Sequence, residues 1–261
     1  MEVVILTDPA AVGVCVADAI CRLFASKERV NLGLATGSSP LATYAELIRR
    51  HAEEGLSLKG MTAFMLDEYL GLPVGHPESY RTYLERSFVD LVDLPNDSLL
   101  GPDVATRRPD VACREYEEQI RAAGGIDLQL LGIGSDGHIG FNEPMSSLAS
   151  RTRIKTLTEE TRRDNARFFG GDVEAVPRHV ITQGIGTLLE ARHLVLIATG
   201  EKKAGCIQRA LEGPIAAMVP ATALQLHPHV TVVLDQAAAG QLALRGYHEE
   251  TFRTKPDWQG L

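Results

Sequence analysis

The chemistry in this chain is concentrated in one run, LLGIGSDGHIGFNEP, from Leu130 to Pro144. A single imidazole, His138, stands between two carboxylates, Asp136 and Glu143. An imidazole titrates near neutral pH, and a neighbouring carboxylate fixes its tautomer and supports its charged form. The trio therefore reads as a general acid/base group with two orienting partners. Gly132, Gly134, Gly137 and Gly140 let the backbone turn sharply around it, and Pro144 stops a helix from following. Residues 127–133 are apolar enough to form a buried strand that feeds into the run. That places the trio at a strand's carboxyl end, where open α/β sheets bind ligands. Two other readings compete. Gly132, Gly134 and Gly137 match the dinucleotide fingerprint, but that pattern needs a helix to open within the glycines, and Gly140 and Pro144 prevent one. A solvated surface turn is the blander reading, and it leaves the apolar residues around one histidine without a use.

Three further places offer chemistry. Thr36-Gly37-Ser38-Ser39-Pro40 joins a strand to a helix, and the backbone N–H groups there favour an anion such as phosphate. An ordinary helix cap by Ser38 or Ser39 reads equally well, and no Walker lysine follows. Asp67-Glu68-Tyr69 sits at the end of another apolar run, so Asp67 is either a reactive carboxylate or a capping charge. Lys203 falls in a helix's first turn, where its charge opposes the dipole unless an anion sits beside it; a solvated lysine is the alternative. Arg151, Arg153 and Lys155 alternate, so an extended backbone would put three like charges on one face.

These groups need a frame, and the hydrophobic pattern supplies one. Apolar strands are expected at residues 3–6, 31–35, 61–66, 127–133, 193–199 and 230–234. Helices are expected between them, the first opened by Asp8-Pro9 and carrying Val12, Val16, Ile20 and Phe24 on its core face. Others follow at 79–91, 110–123, 159–169 and 200–213, with a last helix through Leu244. Short spacing between strands and helices implies a mostly parallel sheet covered on both faces, a three-layer α/β/α arrangement. No repeat or low-complexity linker divides residues 1–261, so one domain is expected, with residues 157–180 as an embedded lid hinged at Gly170-Gly171. Residues 245–261 are polar and yield no reading.

Composition limits the partners. The 261 residues are 44% hydrophobic and 23% charged, which suits a globular chain with a sizeable core. A net charge of −8 argues against nucleic acid or an anionic membrane as a partner. No basic signal-peptide segment opens the chain, and no apolar run approaches a membrane span, so a cytoplasmic protein is expected. Four scattered cysteines, Cys15, Cys21, Cys113 and Cys206, read as reduced packing residues, with no metal site.

The run LGIGSDGHIGFNEP, together with FMLDEYLGLP and HPESY at 64–80, ATGSSP at 35–40 and SSLASRTRIKTLT at 146–158, resembles the signatures of the glucosamine-6-phosphate deaminase family. The resemblance implies a Rossmann-like fold related to ribose-5-phosphate isomerase and CoA transferases. It implies a cofactor-free enzyme of amino-sugar catabolism, classed as a hydrolase, that turns glucosamine 6-phosphate and water into fructose 6-phosphate and ammonium. By resemblance, His138 with Asp136 and Glu143 opens the sugar ring, and Asp67 moves the C2 proton to C1. Gly37, Ser38, Ser39, Arg167 and Lys203 would hold the phosphate; the family often has glycine where Ser38 stands. Regulated members form hexamers that bind N-acetylglucosamine 6-phosphate at positions matching Ser146, Arg153, Lys155, Thr156 and Tyr116, whereas other members are monomeric and unregulated. A homo-oligomer is expected here. The rival functions are a 6-phosphogluconolactonase and a non-catalytic sugar-phosphate sensor. A sensor has no need of Asp67, Asp136, His138 and Glu143.

Overall fold

The computed structural model describes residues 1–256, 259 and 261; Trp258, the chain's one tryptophan, lies outside the described residues. The first half of the chain runs β1 (Glu2–Leu6), α1 (Pro9–Ser26), β2 (Val30–Leu34), α2 (Leu41–Glu54), β3 (Met61–Met65), β4 (Asp67–Tyr69), α3 (Tyr80–Ser87), β5 (Leu99–Leu100) and α4 (Pro109–Ala122). The second half runs β6 (Leu128–Leu131), β7 (Arg153–Thr156), α5 (Glu159–Asn165), β8 (His179–Thr182), α6 (Ile185–Leu188), β9 (His193–Ala198), α7 (Ala204–Glu212), β10 (Val230–Asp235) and α8 (Arg245–Arg253).

Seven strands form one parallel sheet in the order β1-β10-β9-β6-β2-β3-β5. From β2 the chain winds outward through β3 to β5, and from β6 it winds the other way through β9 to β10. The strand order therefore reverses between β2 and β6, and the loops leaving these two strands face a common crevice. The sheet is Rossmann-like and covered by helices, as the pattern of elements predicts. β9 and β10 are buried at every position, the mark of strands covered on both faces.

Local chemistry sets the element ends. Asp8 accepts the Ala11 N–H and Pro9 opens α1, a cap of the kind worth about 1 kcal/mol. Among the described residues, α1 alone is long and apolar enough to cross a membrane by length and composition, contrary to the sequence reading. Here it packs on the protein: Val12, Val16 and Ile20 are buried in the main core. Gly13 lies so close to α2 that an added Cβ would sit 2.6 Å from Ala42 backbone atoms.

The chain leaves the large sheet at Leu66 and enters a second, antiparallel sheet ordered β4-β8-β7. Sequence periodicity does not mark this sheet, because its strands have only three or four residues each. Residues 157–180 span α5 and the start of β8, and their Leu157, Ala166, Val176 and Val180 share a small apolar cluster with Tyr69 and Phe141. Arg162 is almost wholly buried there, donating to the carbonyls of Val173 and Val176 and to Glu159. The helix expected through Leu244 is absent. Residues 236–244 form turns, and α8 begins only at Arg245. The Glu212 carboxylate takes the N–H groups of Ala243 and Leu244, immediately before α8.

Candidate active site

A cavity of about 840 Å³ opens at the carboxyl ends of β2, β6 and β9. Its wall includes Asp67, His138, the loop of Gly37, Ser38 and Ser39, and the cations Arg167, Lys202 and Lys203. The structure thus brings residues from five separate stretches of chain to one crevice.

His138 is held by a turn in which Gly134 donates to the His138 carbonyl and the His138 N–H reaches Asp136 Oδ1 at 3.0 Å. The ring lies directly over Gly134, where an added Cβ would come within 2.2 Å of it. His138 Nδ1 is 2.7 Å from Asp136 Oδ1 and 3.7 Å from Glu143 Oε2. Burial works against a charge on the ring, yet Asp136 and then Glu143 hold its pKa above the ordinary histidine value. Burial likewise pushes at Asp136, but the imidazole beside it keeps that carboxyl well below the usual range. Glu143 is more enclosed and rises instead, chiefly through burial. The ring thus draws one carboxyl's pKa down while burial pushes the other's up. Asp136, His138 and Glu143 are also the one group among the described residues whose ligand-type atoms converge, within 4.8 Å of one another.

Asp67 sits on the opposite account. It is buried on β4, and among the described residues no group donates a hydrogen bond to its carboxylate. Burial, then the charge on Glu68, push its pKa well above the carboxylate range. Glu68 points the other way, as alternation along a strand requires. It accepts the N–H groups of Tyr69, Tyr80 and Arg81 and so anchors the start of α3, a structural task. The alternative of a capping charge thus fits Glu68, and Asp67 faces the cavity.

The small sheet joins the two halves of the site. Antiparallel pairing sets Asp67, Thr182 and Arg153 in one row across β4, β8 and β7. The glycine-rich loop lies along that row residue by residue. An added Cβ on Gly140 would meet Thr182 Oγ1 at 2.9 Å and Asp67 Oδ2 at 3.4 Å. Phe141 N–H donates to Thr182 Oγ1, and Asn142 Oδ1 accepts from Arg153 at 2.8 Å. The loop that carries His138 and Glu143 is therefore tied to β8 and β7 of the small sheet, and Gly140 passes close to Asp67 on β4. Gly140, with φ of +57°, allows the close passage.

Of the cations, Lys203 donates to the Ile133 carbonyl at 2.5 Å, which aims it at the end of β6. Arg167 is exposed on the turn after α5, its Cζ 4.7 Å above the Phe168 ring. The Gly37 carbonyl is held by the Tyr83 hydroxyl at 2.8 Å, a support that sequence reading did not find.

The second predicted group is only partly assembled. Arg153 is half-buried, and among the described residues it has no carboxylate partner. Lys155 and Thr156 follow it on β7, and Ser146 is buried, its hydroxyl without a partner among the described residues. Two expectations need correction. Arg151 does not add to an unrelieved row of like charges, because Glu117 and Glu190 both pair with it. Tyr116 is not offered to a ligand: its ring is buried in the main core and its hydroxyl donates to the Met65 carbonyl at 2.6 Å. Its place on α4 is set by an apolar face, which requires no more than a buried ring.

Sequence comparison agrees with this geometry. The profile of the group described as glucosamine-6-phosphate isomerases/6-phosphogluconolactonase matches residues 9–233. The glucosamine-6-phosphate deaminase of Mycolicibacterium smegmatis is 56% identical over 261 residues, covering 100% of both chains. That of Beutenbergia cavernae is 57% identical over the same span, again covering 100% of both chains. A solved structure of a monomeric glucosamine-6-phosphate deaminase superposes with a TM-score of 0.89 at 39% identity, covering 92% of this chain and 100% of that one. The 6-phosphogluconolactonase of Trypanosoma brucei superposes at 0.74 with 20% identity, covering 93% and 98%, a likeness of fold alone.

Proposed function

The chain belongs to the glucosamine-6-phosphate isomerase/6-phosphogluconolactonase family, and from that membership we propose that it converts glucosamine 6-phosphate and water into fructose 6-phosphate and ammonium. The observation that carries the reading is a pair facing one cavity: a buried carboxylate at Asp67 with no donor among the described residues, and a charge-supported imidazole at His138. Two groups whose surroundings differ this way suit a base and an acid acting in turn.

The cyclic sugar must first open, which needs a proton moved at the ring oxygen. His138, supported by Asp136, fits that step. Asp67 then takes the C2 proton and returns it to C1, turning an aldose into a ketose-type imine. A substrate whose C2 carries a cationic amine favours the ionised form of Asp67, offsetting the burial that raises its pKa. Water adds to the imine last and ammonium leaves, so the reaction is an isomerising deamination with one hydrolytic step. No cofactor enters the scheme. The phosphate would rest on the N–H groups of Gly37, Ser38 and Ser39, with Arg167 and Lys203 beside it. Ammonium release from glucosamine 6-phosphate, measured without added metal or nucleotide, tests the reading. Hydrolysis of 6-phosphogluconolactone in its place would support the lactonase, and phosphosugar binding with neither activity would support a sensor.

Arg167 stands on residues 157–180, which we read as a lid. Arg167→Ala is expected to raise KM by about 10- to 100-fold, the loss of one charge-assisted contact, and Arg167→Lys to recover only part of it. Unaltered kinetics in Arg167→Ala would remove this residue from the phosphate site.

A regulatory reading follows from Arg153. Its guanidinium holds Asn142, the residue before Glu143, and it shares a row with Asp67. An anion on Arg153 and Lys155, such as N-acetylglucosamine 6-phosphate held between subunits of a homo-oligomer, would act on both halves of the site. Substrate saturation should then become steeper without that ligand and the solution mass should exceed one chain. A monomer with hyperbolic kinetics, indifferent to the ligand, would leave Arg153 as a structural tie for the loop.

A further inference from the structure

The inner face of α5 touches both halves of the site. Thr161 and Asn165 lie four residues apart, so they share that face. Thr161 Oγ1 donates to Glu143 Oε1 at 2.6 Å, and Asn165 Nδ2 donates to the Tyr69 hydroxyl at 2.9 Å. Tyr69 is two residues beyond Asp67 on β4. Glu143 is the shared element: one oxygen takes the Thr161 hydroxyl, and the other faces His138 Nδ1 at 3.7 Å.

We propose that Thr161 is a positioning residue that makes the acid group at His138 depend on the seating of α5. The hydroxyl fixes the Glu143 carboxylate in the rotamer that turns its second oxygen to the imidazole. When α5 is seated over bound substrate, Glu143 is oriented and the imidazole keeps both of its partners. When α5 lifts, the carboxylate loses this donor and its orientation, and His138 is left with Asp136 alone. Ring opening is thereby restricted to the closed, water-poor site. The proposal deepens the deaminase reading and rests on it.

A purely structural role must be separated from this one, because Thr161 also helps to cap its own helix. Thr158 is the cap of α5: its Oγ1 accepts the Thr161 N–H at 3.1 Å and donates to Thr161 Oγ1 at 3.0 Å. Thr161→Val keeps the shape and removes the hydroxyl, Thr161→Ser keeps the hydroxyl, and Thr158→Ala weakens the cap without touching Glu143. Each is assayed on glucosamine 6-phosphate and on an analogue unable to cyclise, beside the unsubstituted protein. Thr161→Val is expected to lower kcat about 10- to 100-fold with KM changed less than about threefold, as for a contact used in the chemical step. Thr161→Ser should retain most of the activity, and the non-cyclising analogue should relieve the Thr161→Val defect. The proposal is overturned if Thr161→Val matches the unsubstituted protein, if Thr158→Ala reproduces its kcat loss, if Thr161→Ser is as impaired as Thr161→Val, or if the analogue gives no relief. An unsubstituted protein that releases no ammonium fails the deaminase reading itself, a separate result.

Discussion

Asp67→Asn is expected to lower kcat by about 10³-fold, within the range for removing a general base, while phosphosugar affinity changes less than about threefold. The asymmetry follows from position. The proposed phosphate contacts come from the loop after β2, from the turn after α5 and from Lys203, whereas Asp67 lies on β4 across the cavity. Among the described residues nothing donates to its carboxylate, so the substitution breaks no bond in the resting protein. Burying an amide in place of an ionisable group is also expected to leave the melting temperature unchanged or higher, since an unpaired buried carboxyl is costly. Kinetics, calorimetric titration with a phosphosugar and thermal unfolding read these three effects separately. A fall in kcat matched by an equal loss of binding would make Asp67 a ligand contact.

The second large effect is at His138. His138→Gln is expected to lower kcat on the cyclic sugar by about 10²- to 10³-fold, the contribution of one positioned acid. An analogue unable to cyclise should recover much of that loss, because the step assigned to His138 has been bypassed. The same analogue should not rescue Asp67→Asn, because the C2 proton must still move. Equal rescue of both variants would show that the two roles are wrongly divided. His138→Gln also leaves Asp136 and Glu143 facing one another without a cation between them, so the pKa of Asp136 should rise from its depressed position. Carbon-detected NMR of the aspartate carboxyl would report that change.

The large sheet was legible because its strands are apolar runs separated by helices of clear periodicity. β2, β3, β6, β9 and β10 fall where the sequence puts strands. The small sheet was not, for a physical reason. Three or four residues give too few alternations to define a face, and β8 lies among residues whose composition suggests a mobile lid. What the sequence could not show was therefore the row of Asp67, Thr182 and Arg153, on which the relation of base to acid depends. Resemblance alone singled out Asp67, and the physical difference from Glu68 came only with β4, which sends the two to opposite sides. Tyr116 shows the limit of carrying residues over by position, and Arg151 the limit of reading charge from spacing. One is satisfied by the Met65 carbonyl, the other by Glu117 and Glu190, and both partners are distant in sequence. Thr161 had a visible signal as a helix cap neighbour in T-x-E-T, but its bond to Glu143 needed the fold.

The central claim is that one carboxylate, on one face of the bound sugar, moves a proton between adjacent carbons before ammonium leaves. The most direct test is to run the reaction on glucosamine 6-phosphate in deuterium oxide and to locate deuterium in the fructose 6-phosphate by NMR. The account predicts ammonium and fructose 6-phosphate in equal amounts, with any deuterium at C1 confined to one of its two hydrogen positions, and the same product formed about 10³-fold more slowly by Asp67→Asn. Deuterium spread evenly over both positions, or consumption of 6-phosphogluconolactone with none of the amino sugar, would contradict it.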